Sequence, residues 1–309
     1  MYKGDLLITG GAGFIGTNLI VRLRELGYSK SIRVLDNERS GCRESLSGLD
    51  VDFRFGDIRD RACVLEALSG IDQVIHLAAD TTVADSIENP VCNYQHNVLG
   101  TLNVLEGMRQ TGVINLINAS TGGAITGDTE QPVHEGLPPR PLSPYGASKL
   151  AAEGYCSSYA ASYGLRTISL RFSNVYGPHS AHKKSVVAAF MKALRTGASP
   201  VVYGDGQQTR DFVFARDLAD GIILALGHHT SGTFQLGAGT PTSLVELLEI
   251  AQQVCGYRPA LTHRRAKRGE VRHTYCDISK AQKELGYRPE TSLLEGCAET
   301  WNWFSGQPA

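Results

Sequence analysis

At 309 residues the chain exceeds one comfortable hydrophobic core, so a large domain carrying a smaller lobe is expected. Hydrophobic residues make up 42%, charged residues 20%, and the net charge is -1. This composition fits an ordinary globular protein and excludes the basic excess that recruits nucleic acid or an anionic membrane, so the expected ligand is small.

The first strand-like run begins at Asp5, leaving no room for a secretory leader, and no stretch reaches the roughly 18 consecutive apolar residues of a membrane span. A cytoplasmic location is therefore expected. Short β-rich runs at Leu6-Leu-Ile, Ile32 to Leu35, Val51 to Phe55, Gln73 to Leu77, Leu116 to Asn118 and Thr167 to Arg171 alternate with helical stretches. That rhythm predicts βαβ units, and hence a Rossmann-type, doubly wound parallel α/β sheet. The spacing of Val91, Tyr94, Val98, Leu102, Leu105 and Met108 predicts one long amphipathic helix from Pro90 to Met108, and a second is expected from Ser143 to Tyr163. Beyond Val175-Tyr-Gly-Pro178 the pattern is less regular, with helices expected at Val186 to Arg195, Leu244 to Cys255 and Ser279 to Leu285. We place a dinucleotide domain at 1–173 and a smaller C-terminal α/β substrate lobe at 174–309. Seven cysteines (42, 63, 92, 156, 255, 276 and 297) are odd in number and form no C-x-x-C pair. Reduced thiols are expected, with no disulfide framework and no metal.

The run Thr9-Gly10-Gly11-Ala12-Gly13-Phe14-Ile15-Gly16 follows the first strand and opens a helix. Glycines there let backbone approach a pyrophosphate, whose charge meets the helix N-terminus. The second strand ends at Asp36-Asn37, and Asp36, twenty residues past Gly16, offers a carboxylate to both ribose hydroxyls of an adenosine. A carboxylate there repels a 2′-phosphate, which selects NAD over NADP. Asp57 and Ile58 after the third strand are candidates for the adenine, although an isolated Asp57 also reads as a loop residue or helix cap. Leu77, Ala78 and Ala79 close the fourth strand with residues small enough for cofactor to approach.

Tyr145 and Lys149 lie four residues apart in Ser143-Pro-Tyr-Gly-Ala-Ser-Lys149. On a helix they share one face, where the ammonium favours ionisation of the phenol, and an ionised phenol is a general base. Ser120 and Thr121, just past the fifth strand, are hydroxyl donors at the carboxyl edge where such sheets bind ligands. Alone, the tyrosine and lysine also read as an amphipathic aromatic and a solvated charge; the preceding dinucleotide motif favours chemistry.

Together these motifs resemble the extended short-chain dehydrogenase/reductases, in particular the NAD-dependent epimerase/dehydratase family of sugar-nucleotide enzymes. The resemblance spans nearly the whole chain, including His76-Leu-Ala-Ala79, Asn97-Val-x-Gly-Thr-x-Asn103, Arg171-Phe-Ser-Asn-Val-Tyr-Gly-Pro178, Gly204-Asp-Gly206, Arg210-Asp211 and the closing Asp277 to Pro289. It implies that Tyr145 is the base, that Lys149 lowers its pKa and bonds the nicotinamide ribose, that Thr121 holds the sugar hydroxyl with Ser120 as the alternative, and that Asn97 belongs to the cofactor site. It also implies Asn174 and Arg210 at the diphosphate, Ser185 and Val186 at the uracil, and a homodimer formed through the two long helices. The implied activity is C4 epimerisation of a UDP-hexose or UDP-N-acetylhexosamine through a 4-keto sugar.

Four departures from the family pattern bear on this. Ser120-Thr-Gly-Gly-Ala-Ile-Thr-Gly127 selects Thr121 when counted from the strand and Gly122 when counted back from Gly127. Thr126 stands where tyrosine is usual, which widens the pocket or leaves it differently filled. Asp80 and Thr81 stand where the family more often carries neutral or basic groups, which either alters the field around the nicotinamide or leaves them facing a loop. Lys267-Arg268-Gly-Glu270 replaces the usual phosphate segment, leaving open which basic side chain meets the diphosphate. A uronate epimerase or decarboxylase, a dehydratase or a 4-keto reductase of the same family are alternatives. The absent Thr-Asp-Glu triplet disfavours the dehydratase, and Asn174 disfavours the uronate enzymes. A non-catalytic NAD-binding regulator is the alternative from another class, disfavoured by the intact Tyr145 and Lys149. Thr274, at the position that gates the sugar pocket, predicts tolerance of a 2-acetamido group.

Overall fold

The computed structural model describes residues 4–129, 131–265 and 272–306. Six strands come from the first 172 residues: β1 (Leu6–Thr9), β2 (Ile32–Asp36), β3 (Asp52–Phe55), β4 (Gln73–His76), β5 (Asn115–Thr121) and β6 (Arg166–Phe172). Seven more follow among the described residues: β7 (Asn174–Tyr176), β8 (Val201–Tyr203), β9 (Thr209–Phe214), β10 (Gly232–Leu236), β11 (Pro241–Ser243), β12 (Thr262–Arg264) and β13 (His273–Thr274). The main sheet has seven strands in the order β10-β6-β5-β4-β1-β2-β3, parallel throughout. Chain order reverses between β1 and β4, which opens a crevice at the carboxyl edge there.

Both faces of this sheet are covered, as a parallel sheet requires. On one side Leu6, Ile8 and Val34 pack with Leu19, Ile20 and Leu23 of the first helix and with Leu218 and Ile222. On the other, Leu7, Val74 and Leu116 meet Val64, Leu68, Leu105 and Met108. Burying each such aliphatic side chain contributes about 1.5–3 kcal/mol. The predicted strands are present within a few residues of their expected ends, and the helices Val186–Arg195, Leu244–Cys255 and Ser279–Leu285 have the expected bounds.

Three features differ from expectation. The segment from Pro90 is a helix over Pro90–Tyr94, a π turn over Gln95–Leu99 and a helix over Gly100–Thr111. A π turn carries one extra residue and rotates the two halves relative to one another. Val98, Leu105 and Met108 are accordingly buried while Val91 and Tyr94 are 67% and 54% exposed, so the apolar stripe does not run the full length. Second, helices at Ala215–Leu226 and Leu293–Ser305 were not read from the sequence. Third, the main layer continues past residue 173, because β10 pairs with β6 and the helix Ala215–Leu226 is tied to the first helix by Arg22 Nε to Asp220 Oδ1 at 2.7 Å.

The smaller lobe is organised on β9, which takes β11 antiparallel and β7 and β13 parallel, while β8 pairs β12. Its own core gathers Tyr176, Phe190, Met191, Leu247 and Phe304. Capping boxes start two of its helices, Ser243 with Glu246 and Ser292 with Glu295, satisfying backbone donors that the first turn leaves open. Among the described residues no helix is long and apolar enough to cross a membrane.

Candidate active site

The glycine loop is held by contacts that exclude side chains. Gly10 has φ +71, and a Cβ there would lie 2.6 Å from the Ala78 nitrogen; a Cβ on Gly16 would lie 2.5 Å from the Gly11 Cα. Strand β1, the loop and the strand-end residue Ala78 therefore touch through backbone alone. The helix Phe14–Glu25 begins at Gly13 with no side-chain cap and no acidic residue in its first turn. Its N-terminal donors and dipole face the crevice with nothing built in to neutralise them, which suits a phosphate.

At the end of β2, Asp36 is buried and accepts from the Ala12 nitrogen at 3.0 Å and the Glu38 nitrogen at 2.8 Å. Burial raises its pKa against those bonds. One backbone bond falls on each oxygen, leaving lone pairs for a ribose diol. Asn37 donates to Asp57 Oδ2 at 2.8 Å, and Asp57 also pairs with Arg59 at 2.8 Å. The Arg59 hydrogen bond holds the Asp57 carboxyl far below the ordinary range. Ile58 is buried against Gly100, whose Cβ position lies 2.4 Å from Ile58 Cδ1. Leu77 and Ala78 are fixed to β1, their nitrogens donating to the Thr9 carbonyl at 3.0 Å and the Thr9 hydroxyl at 3.3 Å, and Ala79 follows half-buried.

Beneath this edge lies a buried polar layer that the sequence did not reveal. Thr9 Oγ is 2.7 Å from His76 Nδ1, and His76 Nε2 is 3.0 Å from Thr101 Oγ, which itself donates to the Asn97 carbonyl at 2.6 Å. That pattern assigns the proton to Nε2 and makes Nδ1 the acceptor. Burial, reinforced by the nearby charge of Lys149, lowers the His76 pKa to about 3. Asn97, placed among cofactor ligands by resemblance, spends its amide within the protein. Its oxygen accepts from the Asp80 nitrogen at 2.7 Å, and its nitrogen donates to the Asp80 carbonyl and to Ser148 Oγ, each at 2.9 Å. Asn97 thereby braces the β4 loop against the helix Pro144–Tyr163, and it does so from within the π turn.

Ser143 caps that helix, accepting from the Gly146 nitrogen at 3.2 Å. In its first turn Tyr145 is half-buried, with the Thr121 side chain acting on its phenol. Burial pushes the phenol up to about 12 and the Asp80 charge adds to the rise, while the Thr121 side chain opposes both. Lys149 departs from expectation. Its ammonium donates to the Ala119 carbonyl at 2.8 Å. Its own pKa is lowered to about 8 by burial, with Cys156 and Glu153 acting against the drop. The lysine is thus anchored to β5.

Ser120 and Thr121 are sorted by their partners. Ser120 Oγ donates to Glu153 Oε1 at 2.6 Å, and Glu153 holds Arg171 through two bonds of 2.9 and 2.7 Å, all three side chains buried. The Ser120 hydroxyl is committed to this cluster behind the sheet edge. At 122 no hydroxyl fits, since a Cβ would lie 2.4 Å from Gln235 Oε1. Thr126 is buried and bonds the Gly122 carbonyl at 3.2 Å, so it fills the interior of its helix and opens no wider pocket.

On the lobe side, Thr274 lies against the helix Gly122–Thr126, with its Cγ2 3.1 Å from the Cβ position of Gly123. Arg210 stands opposite Thr274 across β9 and β13, its Nη1 donating to the carbonyls of Thr209 and Arg272 at 2.8 and 3.2 Å. Asn174 is exposed at the start of β7, and Ser185 precedes the helix Val186–Arg195 without capping it through its side chain. Lys267, Arg268 and Glu270 lie outside the described residues.

The NAD dependent epimerase/dehydratase family model matches residues 6–237. A putative UDP-glucose 4-epimerase of Methanocaldococcus jannaschii is 38% identical over 302 residues, covering 96% of this chain and 97% of the relative. The crystal structure of the Thermus thermophilus UDP-glucose 4-epimerase complexed with NAD superposes with a TM-score of 0.91 at 37% identity, covering 98% and 99% of the two chains. A UDP-N-acetylglucosamine 4-epimerase from Methanobrevibacter ruminantium, solved with UDP-N-acetylmuramic acid, gives a TM-score of 0.93 at 29% identity over 98% and 99%. The uncapped helix, the glycine contacts that a Cβ would fill and the carboxylate of Asp36 fit the dinucleotide in this chain. The chain is therefore an enzyme of the NAD-dependent epimerase/dehydratase family, and NAD is its cofactor.

Proposed function

We propose that this protein interconverts UDP-hexoses, and UDP-N-acetylhexosamines, at sugar C4. The observation that carries the reading is the placing of Tyr145 and Thr121 together, the Thr121 side chain acting on the Tyr145 phenol at the carboxyl edge of β5. Tyr145 takes the proton of the sugar 4-hydroxyl, and Thr121 holds that oxygen in line with it. NAD, when bound, takes up the C4 hydride and later gives it back. Lys149, anchored on Ala119, brings a positive charge to the ribose side of the base. After the planar 4-keto sugar turns over, hydride would return to its opposite face and invert C4 while Tyr145 gives the proton back to the oxygen, so no net redox partner is consumed.

Residues 1–173 would then hold the cofactor: Gly10, Gly13, Phe14, Ile15 and Gly16 at the pyrophosphate, Asp36 at the adenosine ribose. The 174–309 lobe would hold the nucleotide diphosphate through Asn174 and Arg210, with Ser185 and Val186 at the base. Arginine suits the phosphates through its planar fork of donors. Thr274 beside Gly123 leaves a small side chain at the sugar, which favours acceptance of a 2-acetamido group. Exposed Ile87, Val91, Tyr94 and Tyr163 lie on helices Val83–Glu88, Pro90–Tyr94 and Pro144–Tyr163, and support a homodimer across these elements. We place the enzyme in the cytoplasm. Incubation of the purified protein with UDP-glucose, UDP-galactose and their N-acetyl counterparts, followed by chromatographic separation, is expected to give both C4 epimers of each pair. Conversion of none of them would overturn the reading.

A further inference from the structure

Asp80 sits where a negative charge opposes the chemistry. It follows Ala79 at the end of the β4 loop, and its side chain is only 10% exposed. Its backbone is fixed at both ends, the nitrogen donating to Asn97 Oδ1 at 2.7 Å and the carbonyl accepting from Asn93 and Asn97 at 3.2 and 2.9 Å. Asn97 in turn donates to Ser148 Oγ at 2.9 Å, and Ser148 donates to the Tyr145 carbonyl at 2.8 Å. The carboxylate is thereby locked in register with the helical turn that carries Tyr145, and it acts electrostatically on the phenol.

Among the described residues, one cation pairs with it. Arg39, in the loop after β2, reaches across the crevice to Asp80 Oδ2 at 3.5 Å, and its Nη1 lies 3.5 Å from Cys92 Sγ and 3.3 Å from His96 Nε2. The carboxylate, thiol and imidazole of Asp80, Cys92 and His96 converge within 4.8 Å of one another around this guanidinium. His96 Nδ1 lies 2.8 Å from the Cys92 carbonyl, to which it donates, leaving Nε2 as the lone pair that Arg39 meets. The strand-β2 loop therefore supplies the charge that balances a carboxylate of the strand-β4 loop.

We propose that the Arg39–Asp80 pair is a charge regulator of the catalytic centre: Asp80 acts as a positioning residue that opposes ionisation of the Tyr145 phenol, and Arg39 sets how much of that opposition is felt. The other charges around it are accounted for. Lys149, on the helix of Tyr145, donates to the Ala119 carbonyl; Asp85, on the neighbouring helix Val83–Glu88, faces Lys184 at 4.0 Å; Arg59 is paired with Asp57 and weakly repels Arg39. Cys92 faces the guanidinium from the helix Pro90–Tyr94, and His96 from the π turn that follows it. Asp80 is the carboxylate among these that acts on the phenol.

The test uses the NAD-loaded enzyme and rests on Tyr145 being the base. Removing either half of the pair is expected to move the acid limb of the kcat/KM profile in opposite directions. Asp80→Asn shifts it down and Arg39→Ala shifts it up, each on the order of one pH unit for unit charges several ångströms apart in a partly buried site. The double variant follows Asp80→Asn, because Arg39 acts only through the carboxylate. Arg39→Lys, which keeps the charge and loses the fork of donors, restores the wild-type profile. Tyrosinate absorbance, read as the difference between each variant and the same variant carrying Tyr145→Phe, reports the coupling without turnover. Shifts of one sign in both single variants, or no shift in folded proteins that retain NAD, overturn the proposal. If either single variant fails to fold, the Arg39→Lys profile and the double variant decide: a profile moved by the lysine rules out charge as the cause. Should Tyr145→Phe remain active, the base assignment fails; the absorbance titration still stands or falls separately.

Discussion

The two sides of the crevice are built differently. On the dinucleotide side, polar side chains lie in rows across neighbouring strands: Thr9, His76, Asn118 and Ser169 are register partners on β1, β4, β5 and β6, and Ser120 and Arg171 pair one row nearer the edge. Nearly all are buried and bonded to one another or to the helices above. On the lobe side the packed centre is apolar, with Phe190, Met191, Leu247 and Phe304. Outside that cluster Asp211 on β9 is buried and accepts from the backbone nitrogens of Ala238, Gly239 and Cys276 at 2.7, 3.1 and 3.1 Å, while the Arg272–Asp205 pair at 2.7 Å is exposed. Buried polar networks cost desolvation and return positional precision when fully satisfied. The dinucleotide side is thus held largely by bonds between side chains of neighbouring strands and helices, and the lobe side by an apolar centre with a buried carboxylate bonded to backbone.

Breaking the buried ion pair gives the largest expected effect. Glu153→Ala leaves the Arg171 guanidinium buried without its carboxylate and frees Ser120, and a loss of about 3–5 kcal/mol is expected in urea unfolding. A loss below about 1 kcal/mol, the range of an exposed pair, would remove the contrast between the two sides. Gly10→Ala places a Cβ against the Ala78 nitrogen at positive φ and should cost about 1–3 kcal/mol together with measurable loss of NAD on gel filtration.

His76 gives the contrast a pH dependence. Its folded pKa is about 3 against 6.5 for the ordinary side chain. Between those values the unfolded chain binds a proton that the folded protein refuses, so stability falls as pH falls through this window, at about 1.4 kcal/mol per pH unit where the difference is one full proton. Melting temperatures of wild type and His76→Gln between pH 6.5 and 3 should converge as pH drops; parallel curves would mean that His76 is not held neutral. Ser243→Ala, in the lobe, is the mildest case. Losing the cap is expected to cost about 1 kcal/mol with NAD retention unchanged.

The strands of the main sheet were legible because apolar runs bounded by turn residues recur with short spacing, and the helices ending at Cys255 and Leu285 because each stops at a left-handed glycine, Gly256 and Gly286. The π turn was not legible: an apolar stripe at three- and four-residue spacing reads as one helix whether or not an extra residue interrupts it. The Ser120–Glu153–Arg171 cluster was missed because its members lie far apart in sequence. Glu153, four residues after Lys149 and thus on the same helical face, was the available signal. The expected Lys149–Tyr145 contact followed from that same face, but helical spacing does not encode which acceptor a long side chain chooses, and here the Ala119 carbonyl takes it.

The central claim is that the phenol of Tyr145 is the base. Its most direct test is the interconversion of UDP-glucose and UDP-galactose by Tyr145→Phe with NAD content measured on the same sample. The account predicts a fall in rate of about 100-fold or more, the usual worth of a positioned acid–base group, with NAD still bound. A variant that binds NAD and turns over within a few-fold of wild type would contradict it.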